Sequence, residues 1–75
     1  MPGVAVATEG LVLMVNGARV STRAGTLAEL LAELGYGAAK IATARNGDFV
    51  PERARTATRL TAGDSIEIVR ARQGG

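Results

Sequence analysis

Cysteine, histidine and tryptophan are absent from these 75 residues, and phenylalanine and tyrosine occur once each. Without thiol or imidazole there is no disulfide, no thiolate nucleophile, no Cys/His metal site and no Ser-His-Asp arrangement. A chain free of cysteine is compatible with a reducing cytoplasm, where this protein is expected. So few aromatics leave no stacking platform for nucleic acid. Nine Lys/Arg against seven Asp/Glu, a formal charge of +2, make no basic footprint for it either. There is no run of about 20 apolar residues and no charged region leading into an apolar core, so neither a membrane span nor a secretion signal is expected. A GxxxxGK[ST] phosphate loop and a nucleophile–base pair are missing too, and Gly35-Tyr36-Gly37 reads as a helix stop. The protein is not expected to be an enzyme, and no bound cofactor or metal is expected.

What is present is aliphatic. Apolar residues make up 47% of the chain, so the core must come from Leu, Ile, Val and Ala. A chain of this length buries only about 60–65% of the surface its unfolded form exposes, which allows one compact domain and no deep cleft. Residues 1–10, with Pro and two Gly among small residues, read as a flexible leader. "LVLMVNGARVSTR" then places Asn16-Gly17 between two extended runs, the signature of a hairpin with a type I′ turn. In "GTLAELLAELG" Leu27, Leu30, Leu31 and Leu34 recur at helical spacing, with Thr26 and Glu29 as a capping box and Gly35 as the stop. "KIATARNGDFVP" gives a further strand and a second Asn-Gly turn, although alternation alone leaves open which side faces inward. "ERARTATRL" reads as a short helical turn and a loop. "TAGD" turns the chain into "SIEIVR", where Ile66 and Ile68 share one face and Glu67 and Val69 the other.

One amphipathic helix needs a sheet to lie on, so the order of elements predicts an α+β domain over residues 11–70 with the helix on one face. The expected core is Leu13, Val15, Val20, Leu27, Leu30, Leu31, Leu34, Ile66 and Ile68, in a mixed sheet whose first and last strands pair in parallel. Alternation that turns Leu13 and Val15 toward the helix turns Val12 and Met14 away from it, onto the face of Val69, a candidate docking surface.

Residues 71–75, "ARQGG", hold nothing apolar larger than alanine and cannot offset about 1–2 kcal/mol per residue of backbone ordering. A mobile tail is expected, and five extended residues reach about 16–18 Å, enough to enter another protein's active site. Glycine leaves the terminal carbonyl carbon of Gly75 open to approach, with Gln73 and Gly74 threading behind it. A free α-carboxylate, with a pKa of about 3.3–3.7, is ionised at neutral pH and a poor electrophile. It reacts only after activation, for example as an acyl-adenylate.

"VNG" (Val15–Gly17), "ARNGDFVP" (Ala44–Pro51) and "LTAGDSIEIVRARQGG" (Leu60–Gly75) together resemble the ThiS-type sulfur carrier proteins of thiamine thiazole biosynthesis. The resemblance spans nearly everything from Leu11 on. It implies a ubiquitin-like β-grasp fold with a mixed four- to five-stranded sheet and one main helix. It also implies a co-substrate whose Gly75 carboxylate is adenylated with ATP by a partner resembling ubiquitin-activating enzymes. A sulfur donor protein then converts it to a thiocarboxylate, and thiazole synthase takes the sulfur. Three departures stand out: Arg72 where an apolar residue is common, Arg55 in a region that often holds a large apolar residue, and a longer leader. Related readings are the small subunit of molybdopterin synthase, whose "VSGG"-like ending and richer aromatics differ from "RQGG" and one Phe, and a ubiquitin-like protein modifier. A plain interaction module using its sheet is the reading from another class.

Overall fold

The computed structural model describes residues 10–37 and 39–70. They form β1 (Leu11–Val15), β2 (Ala18–Thr22), α1 (Leu27–Glu33), β3 (Ile41–Arg45), β4 (Asp48–Val50), a 3-10 helix (Glu52–Ala57) and β5 (Ser65–Arg70). The strands make one sheet in the order β2-β1-β5-β3-β4. All neighbours are antiparallel except β1 and β5, which run parallel as the sequence predicts. The leader and tail expected at 1–10 and 71–75 lie outside the described residues apart from Gly10.

The two Asn-Gly turns share one conformation, with φ of 51° and 82° at Asn16-Gly17 and 52° and 89° at Asn46-Gly47. Positive φ at both central residues is the type I′ turn, whose twist matches that of the flanking strands. Asparagine adds something that glycine could not. Asn16 Nδ2 donates to the Ile68 carbonyl at 3.1 Å, and its Oδ1 accepts the Ile68 N–H at 2.8 Å. On the other side of β5, Asn46 Oδ1 accepts the Ser65 N–H at 2.8 Å. A side-chain amide carries a donor and an acceptor as a peptide does, so each turn continues the ladder where its own strand has ended. The central strand is thereby held from both flanks.

Helix α1 starts as its sequence predicts: Thr26 Oγ1 accepts the Glu29 N–H at 3.2 Å. The Glu29 carboxylate reaches one residue further back than in the usual box, accepting the Gly25 N–H at 2.7 Å. It stops in a Schellman motif, with Gly35 at φ 87°, its N–H on the Ala32 carbonyl and the Tyr36 N–H on the Leu31 carbonyl. This stop corrects the expected core. Leu34 is the C-cap residue, 37% exposed, because the chain leaves the helical path before a fourth leucine can turn to the sheet. Val20 is only half-buried, since it lies on edge strand β2 opposite Leu13. The other seven expected residues are buried, joined by Ala24, Val50 and Leu60.

Strand β3 turns Thr43 inward, 2% exposed, and Ala42 outward. The buried hydroxyl is fully used: it donates to the Val50 carbonyl at 2.8 Å and accepts from Arg55 Nε at 3.1 Å. Arg55 Nη2 also donates to the Ile41 carbonyl at 2.9 Å. The arginine that stands in place of a large apolar residue thus has polar work to do, tying the 3-10 helix to β3.

Candidate functional site

One face of the sheet is covered by α1 and, among the described residues, the other is open. Cross-strand partners project to the same side, so the register lays out the open face strand by strand. It runs from Arg19 and Ser21 on β2, through Val12 and Met14 on β1 and Ser65, Glu67 and Val69 on β5, to Ala42 and Ala44 on β3 and Phe49 on β4. Val12, Met14 and Val69 are 44%, 38% and 63% exposed, on the face where alternation put them.

These three share a face without forming one patch. Met14 lies beside Ser65 in the parallel pair, so Val69 sits four residues further along β5, about 13 Å away along the strand. The apolar surface nearest the C-terminal end of β5 is built from other residues. Val69 pairs with Ala42, Ala44 pairs with Phe49, and Phe49 is 68% exposed. The two alanines form a low floor between an aromatic wall and a β-branched one. Sequence reasoning missed Phe49, although a two-residue turn at Asn46-Gly47 already pairs Arg45 with Asp48 and Ala44 with Phe49. With Val50 facing the core, Phe49 had to face away from it.

The start of β5 is fixed by a buried carboxylate. Asp64, 5% exposed, accepts from Arg45 Nε at 2.7 Å, Arg45 Nη2 at 3.3 Å, Asn46 Nδ2 at 3.0 Å and the Thr61 N–H at 2.8 Å. Burial pushes its pKa up. The hydrogen bonds from Arg45, Asn46 and Thr61, with the Arg45 charge, outweigh that and hold it below the usual carboxylate value. This knot ties the β3–β4 turn to the strand that leads to the C-terminus. Its acid has no spare lone pair aimed at solvent for chemistry.

Among the described residues no group of three or more His, Cys, Asp or Glu side chains gathers to hold a metal. No described helix is long and apolar enough to cross a membrane. The expected reacting residue Gly75, with Gln73 and Gly74, lies outside the described residues. What the described part offers is a central strand that ends at Arg70, beside an open face on which Val69 and Phe49 are exposed.

A five-stranded mixed sheet with parallel central strands and one main helix on one face is the ubiquitin-like β-grasp fold. Comparison with known proteins gives the family. The model of the ThiS family matches residues 12–75, and the chain belongs to that family, whose members are small sulfur carriers of thiamine biosynthesis. Among solved structures, the thiamine biosynthesis protein ThiS from Geobacter metallireducens is similar, with a TM-score of 0.73 and 29% identity. The match covers 87% of this chain and all of that one. No curated protein sequence matches.

Proposed function

We propose that this protein is a co-substrate rather than a catalyst, and that its reacting group is the Gly75 carboxylate. An adenylating enzyme of the ubiquitin-activating kind brings ATP. The carboxylate attacks the α-phosphorus, pyrophosphate leaves, and an acyl-adenylate forms. Hydrosulfide from a sulfur donor protein then attacks the acyl carbon and displaces AMP, leaving a thiocarboxylate. Where the donor is a persulfide, a second thiol reduces the intermediate S–S bond. Thiazole synthase takes the sulfur from the carrier, and the cycle runs in the cytoplasm. ATP is consumed by the partner and is not held here.

The observation that carries this reading is the family match, which extends through Gly75 and includes the "QGG" that follows β5. The open face supports a docking role in the same cycle. Val69 and Phe49 expose apolar surface toward the C-terminal end of β5, with Val12 and Met14 further back on the same face, and binding there would hold Gly75 in the partner's site at high local concentration. Met14→Asp and Phe49→Asp are expected to weaken capture by the adenylating enzyme while the fold is retained.

The test is direct. After incubation with the adenylating enzyme, ATP and a sulfur source, intact-protein mass spectrometry should show one oxygen replaced by sulfur at the C-terminus. Deletion of Gly75, or extension beyond it, should abolish the exchange, because no free acid remains at the right place. A truncated protein that loads sulfur as well as the intact one would overturn the proposal.

A further inference from the structure

Tyr36 is the chain's one tyrosine, and nothing in the carrier chemistry calls for it. The Gly35 turn sends it back toward the sheet. Its N–H is bonded to the Leu31 carbonyl at 2.9 Å, its carbonyl accepts the Ala39 N–H at 2.7 Å, and its ring packs half-buried against the core. Over that ring lies the guanidinium of Arg70, its central carbon 5.2 Å from the ring centroid. Arg70 is the last residue of β5 and pairs with Ile41 in the last rung of the β3–β5 ladder. By alternation its stem continues the buried column of Ile66 and Ile68, while its charged head reaches water.

We propose that Arg70 and Tyr36 form a clamp at the root of the tail, which makes Arg70 a positioning residue for the reaction at Gly75. The inference rests on the carrier reading of Gly75 and adds the device that aims it. The end of a strand opens readily, because each terminal rung holds its backbone with few bonds. A cation over an aromatic face at an exposed site shifts such an opening about two- to five-fold toward the closed form. When the Ile41–Arg70 and Ala42–Val69 rungs are closed, residues 71–75 start from a fixed point and Val69 keeps its place beside Ala42 on the docking face. When they open, the starting point moves back along β5 and that face loses a wall. Gly75 is then delivered less often to the site where the partner holds ATP. The clamp therefore acts on capture and not on the bond-making steps.

Four variants test it: Arg70→Ala, Tyr36→Leu, and the conservative Arg70→Lys and Tyr36→Phe. In the free protein, the Arg70 side-chain protons should be shifted upfield by the Tyr36 ring, and Tyr36→Leu should remove that shift. Amide hydrogen exchange at Ala42 and Val69 should rise about two- to five-fold in Arg70→Ala and Tyr36→Leu. It should stay near wild type in Arg70→Lys and Tyr36→Phe, which keep a cation over an aromatic face. With the adenylating enzyme, the half-saturating concentration of the first pair should rise by a similar factor, with turnover at saturation unchanged. Unaltered exchange in Arg70→Ala and Tyr36→Leu overturns the clamp, as does raised exchange with unchanged half-saturation. A defect in Arg70→Ala but not in Tyr36→Leu also overturns it, since Arg70 would then touch the partner directly. If the wild-type protein is not adenylated at all, the carrier reading falls. The ring-current shift and the exchange rates still decide the clamp.

Discussion

The two faces of the sheet are built from the same kinds of residue and end in opposite environments. Toward α1, Leu13, Val15, Val50, Ile66 and Ile68 are at most 8% exposed, whereas their immediate neighbours Val12, Met14, Phe49 and Val69 are between 38% and 68% exposed on the other side. Hydrophobicity did not sort them. A single helix can cover one face only, and the pleat sends alternate residues to the face that remains. With no second layer among the described residues, that face keeps apolar surface in water, and such a surface is what a partner can bury.

The contrast can be broken most strongly from the covered side. Leu13→Ala should lower stability by about 2–5 kcal/mol, because Leu13 is fully buried and its neighbours cannot close over the space, and thermal or urea unfolding reads this directly. Asp64→Asn comes next, at about 2 kcal/mol. It removes the charged acceptor of Arg45 and puts a donor among donors. It also carries a pH signature. The folded pKa of Asp64 lies below the ordinary aspartate value of about 3.9, so between the two the unfolded chain binds more protons. The stabilisation is whole above about pH 4 and is lost as pH falls through the folded value. Urea unfolding from pH 6 down to pH 2 should show that loss in the wild type, and a smaller one in Asp64→Asn.

Asn16→Gly should cost about 1–2 kcal/mol. Glycine keeps the positive φ but removes both hydrogen bonds to Ile68. Hydrogen exchange at Ile68 should rise more than at Ser65, which Asn46 still holds. The smallest effect on folding belongs to the open face: Phe49→Ser should change stability by no more than about 0.5 kcal/mol. Partner binding measured on the same variant should fall. An unfolding midpoint that drops as far as in Leu13→Ala would mean that the two faces are not distinct.

Much of the architecture was legible before any coordinates. The hairpin around Asn16-Gly17, the helix from Leu27 and the parallel pairing of the outermost segments of the chain all stand. Of the candidate site, Val12, Met14 and Val69 were correctly placed on the open face and Phe49 was overlooked. The inward side of β3 was illegible because its decisive residue is a threonine, whose buried hydroxyl is satisfied by Val50 and Arg55 from elsewhere in the fold. Leu34 fits the apolar stripe of α1, yet the stripe says nothing of where the helix axis stops pointing at the sheet.

The sequence alone settled whatever depends on neighbours within a few residues. Turn conformation follows from Asn-Gly, helix boundaries from Thr26, Glu29 and Gly35, and the sidedness of a strand from its alternation, because the interactions responsible are local. Tertiary structure alone decided how the strands are staggered. The pairing of Met14 with Ser65 and of Val69 with Ala42 separates Val12 and Met14 from the tail and brings Phe49 near it. It also sets Arg70 over Tyr36 and seats the Asn16 amide on Ile68. Those residues lie 27 to 52 positions apart in the chain, and only the closing of the sheet on one helix brings them into register.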